Sequence, residues 1–451
     1  MSDSNLYSDF NPVSAKQWKQ KIQMDLKGAD YNAVLMTSTN EGIVIKPFYH
    51  QETYKKLDIP GAKTETKICQ TVFIADEKKA NGIAKEAFSK GANIVRFIAD
   101  KAFDYKKLFN GLEAQEMRLV FHFLNEEFIT EIINFTTSFK LVLQIDSIDQ
   151  FVRDGNWFDN QLSDFKIIKT IQLKNKNRAI TSLNTQIYQN SGANNVQQVA
   201  YALAHVNEYF NAGLIADKSE LQVTFSVGSH YFFEISKIRA FRYLFKKLAQ
   251  EYKLDVTPII CAEPTFRNKT IYDYNVNLLR TTTECMSAII GGADIVNNNP
   301  YDSIYHRSNE FGTRISRNQL LILKEESYFT NKANITKGSY YIEQLTFEIA
   351  DKALKLFKDI EKSAGFIEQL KKGTIQRKIE ESAAKEQAQF NEGSLVLLGT
   401  NKYPNENDAM KNDMELYPFI KTKTRQTIIK PIIPKRLAEQ MEQERLKNEK
   451  V

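Results

Sequence analysis

The chain has 451 residues, 42% of them hydrophobic, and its 61 basic and 55 acidic residues leave a formal charge of +6. That is ample material for a large core, and without a long basic run interleaved with aromatics it gives no support to nucleic-acid binding. The cysteines, Cys69, Cys261 and Cys285, form no C-x-x-C pair and read as buried thiols of a reducing compartment, while the absence of a signal-like leader or of a run of about 18 apolar residues argues for a cytoplasmic chain with no membrane partner.

Residues 14–26 predict a helix, because Trp18, Ile22 and Leu26 recur at helical spacing behind a capping Ser14. Residues 41–49 alternate like a short strand, and Pro60-Gly61 marks a turn, so residues 1–65 read as an arm preceding the repeating part of the chain. From 66 to 335, β-branched runs alternate with amphipathic patterns. The predicted strands are 68–74, 94–98, 119–123, 141–145, 167–173, 222–227 and 257–262; the predicted helices are 78–88, 196–210, 231–252, 276–290 and 308–323. Strands separated by helices of this length imply a parallel sheet, and seven or eight such units over roughly 250 residues match a (β/α)8 barrel of the TIM type. The doubly wound alternative lacks its G-x-G-x-x-G at a strand-to-helix junction. Residues 336–451 predict a C-terminal helical segment and tail: helices at 340–363 and 376–390, a short strand at 394–398, and a charged end, 436–448, expected to be a solvated helix at best.

Several stretches then become recognisable. Trp18-Lys19-Gln20-Lys21-Ile22-Gln23-Met24-Asp25-Leu26-Lys27-Gly28-Ala29-Asp30, Phe233-Glu234-Ile235-Ser236-Lys237-Ile238-Arg239-Ala240, Asn277-Leu278-Leu279-Arg280-Thr281-Thr282-Thr283-Glu284, Arg314-Ile315-Ser316-Arg317-Asn318-Gln319 and Gly338-Ser339-Tyr340-Tyr341-Ile342-Glu343 occur in one order. Together, over about residues 14–447, they resemble the barrel chain of the cobalamin-dependent acyl-CoA mutases. The resemblance implies an N-terminal arm, a (β/α)8 barrel and helices leading toward a cobalamin domain. It also implies that in catalytic chains the barrel axis is a tunnel for the pantetheine of a CoA ester, with the acyl group at the end facing the cofactor. A tunnel needs small polar side chains where an ordinary barrel is filled.

This sequence departs from the family pattern where the chemistry resides. None of His50, His122, His205, His230 and His306 lies in the Asp-x-His-x-x-Gly motif whose histidine ligates cobalt, and no Arg-Gln-Tyr segment follows Pro60-Gly61. Where the family carries Tyr-His-Met-Gln, the match is Tyr188-Gln189-Asn190-Ser191, with Gln189 in place of the histidine. An amide donates a hydrogen bond but cannot transfer a proton as imidazole does. The resemblance therefore implies the small, non-catalytic subunit of a heterodimeric methylmalonyl-CoA mutase, with no catalytic or metal-ligating residue of its own. Tyr188 and Gln189 would be the remnant of a substrate pocket. Trp18, Met24, Asp25 and Leu26 would meet the large catalytic subunit, which would carry adenosylcobalamin, and acyl-CoA would be engaged only through the complex. A catalytic barrel served by a separate cobalamin-binding subunit is the alternative.

Other polar residues have plain readings. Glu234, Glu263 and Glu284 with Lys237, Arg239 and Arg280 are expected to form ion pairs or to cap neighbouring loops. His205 is expected to be packed or to face a partner, His230 begins a helix near the barrel mouth, and Gly291-Gly292 ends one with a left-handed cap.

Overall fold

The computed structural model describes residues 8–61, 65–175, 180–329, 335–421 and 424–449. Eight parallel strands, β1 (Lys67–Phe73), β2 (Ile94–Ala99), β3 (Glu116–Phe121), β4 (Lys140–Gln144), β5 (Ser182–Asn184), β6 (Glu220–Val227), β7 (Thr257–Pro264) and β8 (Ile295–Asn297), follow one another around a single sheet. β8 returns to β1, with Ile295 opposite Lys67 and Asn297 opposite Cys69. Between β4 and β5 a bridge joins Ile145 to Thr181: Ile145 N donates to Ile180 O at 3.0 Å and Ser182 N to Ile145 O at 3.1 Å. The sheet thus rolls into a (β/α)8 barrel.

The two-residue period of each strand sorts its side chains. Val95, Phe97, Met117, Leu119, Leu141, Leu143, Val223 and Phe225 point outward and join the main core beneath the helices. Their neighbours point into the lumen, where Cys69, Ile94, Ile259, Cys261 and Ile295 form a separate apolar cluster. Helix starts follow the sequence signal for capping: the side chains of Asp76, Asp104, Asn125, Asp146 and Asn160 each accept the backbone N–H three residues on.

Helices framing the arm, the mouth and the C-terminal wall are α1 (Ala15–Asp25), α2 (Asn195–Asn211), α3 (Tyr231–Glu251), α4 (Val276–Gly291), α5 (Tyr340–Lys362), α6 (Thr374–Asn391) and α7 (Glu439–Asn448). α1 starts with a capping box between Ser14 and Gln17, and Gly292 ends α4 at φ 93°, the left-handed conformation glycine tolerates. The arm also contributes a hairpin pairing Thr37–Ser38 with Val44–Ile45, shorter than the strand expected at 41–49.

Three expectations need correction. The predicted strand at 167–173 is part of the helix Gln161–Lys174, whose Asn160 cap and buried Ile168 and Ile171, one turn apart, outweigh the β-branched composition. The strand that belongs there is the three-residue β5. Residues 394–398 form no strand; only Leu398 makes an isolated bridge, to Lys402. The charged end is docked rather than solvated: Arg436 pairs with Glu442 at 2.6 Å with both side chains buried, and Arg445 lies 3.9 Å from the centre of the Tyr272 ring. Among the described residues no helix is long and apolar enough to cross a membrane.

Candidate functional site: the barrel lumen and its mouth

The lumen is crossed by long polar side chains. Arg118 on β3 donates from Nε to Gln222 Oε1 on β6 at 3.1 Å and from Nη2 to Glu116 at 2.9 Å, while Glu116 also pairs with Lys67. One level nearer the mouth, Arg96 on β2 pairs with Glu263 on β7 and donates to Thr71 Oγ1 at 2.8 Å. Neither β3 and β6 nor β2 and β7 are neighbours in the sheet. These contacts therefore bridge the interior, and all four principal residues, Arg96, Arg118, Gln222 and Glu263, are less than 10% exposed. Beside them Cys69 and Cys261 fill space among isoleucines, and burial pushes the pKa of the Cys69 thiol up to about 12. Such thiols stay protonated and unreactive near neutrality.

At the mouth, the two pocket candidates separate. Tyr188 lies behind the barrel wall, fully buried, its hydroxyl 3.2 Å from His205 Nδ1 and its ring edge-on to Tyr201 and Phe366. Gln189 borders a cleft, but both ends of its amide are engaged: Nε2 donates to Glu234 Oε1 at 3.0 Å and Oε1 accepts from Lys237 Nζ at 3.0 Å. Lys237, fully buried, also donates to Gln198 at 2.8 Å and to Ser226 O at 2.7 Å and pairs with Glu234. Burial pulls the Lys237 pKa down, and Glu234 partly opposes it. A Cβ on Gly228 would come within 2.6 Å of Gln189 Nε2, so the glycine leaves room for this bridge.

The remaining charges that read as ion pairs from sequence are paired: Arg239 with Glu343 at 3.1 Å, Lys269 with Glu284 at 2.7 Å, and Arg96 with Glu263. Arg280 is bonded instead to Thr270, Asn277 and Leu398 O. Sequence reasoning missed the lumen cations. Their signal was present: Arg96 stands between Val95 and Phe97 and Arg118 between Met117 and Leu119, at the alternate positions that must face inward.

The arm residues proposed to meet a partner lie on the surface. α1 has no buried residue, Met24 is 75% and Trp18 44% exposed, and Trp18 stacks on Phe48 with ring centres 4.4 Å apart. Asp25 is exposed and bonded by Lys21 at 2.6 Å, and Leu26 is half-buried.

Residues 136–448 match the methylmalonyl-CoA mutase family, and the methylmalonyl-CoA mutase small subunit of Porphyromonas gingivalis is 31% identical over 448 residues, covering 89% of this chain and 71% of that one. The chain belongs to the methylmalonyl-CoA mutase family. It is also similar to the methylmalonyl-CoA mutase of Cereibacter sphaeroides, at 27% identity with 86% of this chain and 64% of that one covered, and to the mitochondrial methylmalonyl-CoA mutase of Homo sapiens, at 27% identity with 86% and 60% covered. The chain thus spans less than two thirds of the length of these two mutases.

Three of the five histidines have ring nitrogens held by the chain itself. His205 is buried with both ring nitrogens engaged, Nδ1 by Tyr188 and Nε2 by Asp146 at 3.0 Å. His306 is likewise held at both nitrogens, by Asp302 at 3.3 Å and Asp413 O at 2.8 Å, and His122 Nδ1 is 2.7 Å from Asp100. Among the described residues no group of three or more His, Cys, Asp or Glu side chains is placed to hold a metal ion.

Proposed function

We propose that this chain is the small, non-catalytic subunit of a heterodimeric methylmalonyl-CoA mutase that interconverts methylmalonyl-CoA and succinyl-CoA in the cytoplasm, as a step of propionate metabolism. The observation that carries the reading is the filled lumen: the Arg118–Gln222 and Arg96–Glu263 contacts lie where a pantetheine would have to thread. The engagement of Gln189 between Glu234 and Lys237 supports it, because an amide held at both ends by protein is not aimed at a thioester carbonyl.

In this reading adenosylcobalamin and the acyl-CoA belong to the large subunit, and this chain contributes surface. The exposed face of α1 around Trp18 and Met24 and the flanking Asp25 and Leu26 would form part of an obligate interface of several thousand Å2 in total. A partner that binds only the native form of the large chain raises its stability by mass action.

The test is mutase activity of the purified chain with adenosylcobalamin and methylmalonyl-CoA, alone and with the large subunit of the same organism, alongside size-exclusion chromatography of the mixture. The reading expects co-elution and activity in the mixture only. Separate elution at micromolar concentrations would remove the subunit role.

A further inference from the structure

Residues 408–419 run as a strap over the loops that leave β7 and β8 at the carboxyl end of the barrel. Met410, Met414 and Phe419 of the strap pack with Tyr272, Ile304 and Tyr305 in an apolar cluster separate from the main core. Arginines grip both ends. Arg445 Nη2 donates to Asp408 O at 2.7 Å, and Arg436 donates to Pro418 O from Nε at 3.3 Å and from Nη2 at 3.2 Å. A guanidinium keeps its charge at any pH a protein tolerates.

The middle of the strap is held by a histidine instead. His306, in the loop after β8, has Nε2 2.8 Å from Asp413 O and Nδ1 3.3 Å from Asp302 Oδ2. Beside it Glu415 N and Leu416 N donate to Tyr305 O at 2.9 and 2.8 Å, and Arg307 N donates to Glu415 Oε2 at 2.9 Å. Both partners of the ring are acceptors, since neither a backbone carbonyl nor an ionised carboxylate has a hydrogen to give. A neutral imidazole carries one N–H and satisfies one of them, whereas the imidazolium carries two and satisfies both. His205 differs: the Tyr188 hydroxyl can donate to one ring nitrogen while the other donates to Asp146, so its neutral ring suffices.

The charged groups around His306 are Asp302 on its own loop, 2% exposed, Arg307 next in the chain, and Asp413 and Glu415 on the strap, with Asp413 Oδ1 3.5 Å from Nε2. The ring of Tyr305 lies against it, centres 4.4 Å apart, and Tyr274 from the loop after β7 lies against Tyr305. Burial alone would lower the His306 pKa, but the bonds to Asp302 and Asp413 outweigh it and hold the pKa above its ordinary value.

We propose that His306 is a pH-sensitive latch. Protonated, it clamps residues 413–416 to the loop after β8; deprotonated, it lets the middle of the strap open while the arginines keep both ends in place. A histidine whose pKa rises on closure stabilises the closed form fully below its ordinary value and ceases to as pH climbs through the raised one, so closure weakens above about pH 6.5. Opening bares Ile304 and Tyr305, and the surface at this end of the barrel changes with pH.

The experiment is hydrogen–deuterium exchange of the full chain at about pH 6 and about pH 8.5, with intrinsic exchange rates divided out, beside an NMR titration of the five histidine rings. The His306 signal is identified by its loss in His306→Gln or its displacement in Asp302→Asn. The latch expects His306 to titrate above about 6.5 and the protection of the Glu415 and Leu416 amides to fall about tenfold or more between the two pH values. The Met410 and Lys411 amides, bound by Glu449 near the leading end, keep theirs. In His306→Gln the protection no longer depends on pH, and in Asp302→Asn, which removes a charge but leaves an acceptor, the fall moves to lower pH. The parent measurements decide without either variant. Titration of His306 below about 6.5, equal protection at both pH values, a fall that persists in His306→Gln, or one shared equally by the strap's ends would overturn the proposal.

Discussion

Arg118 on β3 donates its Nε hydrogen to Gln222 Oε1 on β6 at 3.1 Å, a bond made across the barrel rather than along it. With Arg96 reaching Glu263 one level higher, two buried polar contacts cross the interior above and beside its apolar cluster.

These contacts have an energetic signature. Replacing Arg96 by Met leaves the Glu263 carboxylate buried and unpaired and is expected to cost about 3–5 kcal/mol in urea denaturation, whereas Arg96→Met with Glu263→Met recovers most of the loss. A single variant within about 1 kcal/mol of the parent would mean the pair is not enclosed as described.

Gln189→His restores the residue type the catalytic family carries but removes the bridge between Glu234 and Lys237. The expected result is no gain in turnover, in any mixture, and a loss of about 1–3 kcal/mol from unpaired buried groups. Turnover that appears with the histidine would show that the remnant pocket still accepts a thioester.

Asp149 supplies a pH test. Burial raises its carboxyl from 3.8 to about 6, with Asp146 adding to the rise and Arg153 opposing it, and its Oδ1 has no hydrogen-bond partner among the described residues. A carboxyl whose pKa is raised by folding contributes stability below its unfolded value and loses it as pH climbs through the folded one. Its contribution therefore falls between about pH 4 and pH 6. Asp149→Asn is expected to raise the melting temperature at pH 7.5 and to change it little at pH 4. Equal effects at both pH values would contradict the assignment.

On the arm, Trp18→Ala and Met24→Asp remove exposed apolar surface and are expected to leave the isolated chain's melting temperature within a degree or two. Association with the large subunit, followed by analytical ultracentrifugation, is expected to weaken by about 2 kcal/mol or more for Trp18→Ala if the residue anchors the contact. Unchanged association would place the interface elsewhere.

Much of the barrel was legible because its strands and helices differ in period, and long elements such as α2, α3 and α5 carry many turns of signal. The three-residue β5 was not: Ser182, Leu183 and Asn184 are too few to show alternation, and their place in the sheet is fixed by β6. Nearby, Ile167, Ile168 and Ile171 read as a strand by composition, yet their spacing and the Asn160 cap make a helix. The docked end of the chain was hidden for another reason: Arg436 and Glu442 look solvent-bound until the surface formed by Lys269 and Tyr272 is in place. Of the site, the substitution at Gln189 was visible in sequence, but its two partners, Glu234 and Lys237, lie more than forty positions away and meet it only through the fold.

The most direct measurement is turnover of methylmalonyl-CoA by this chain mixed with adenosylcobalamin and an isolated cobalamin-binding domain, with no second barrel present. The account predicts no succinyl-CoA, because the proposed reading puts the Arg118–Gln222 contact across the path of the thioester. Succinyl-CoA formation in that mixture would contradict it and make this chain the catalytic barrel.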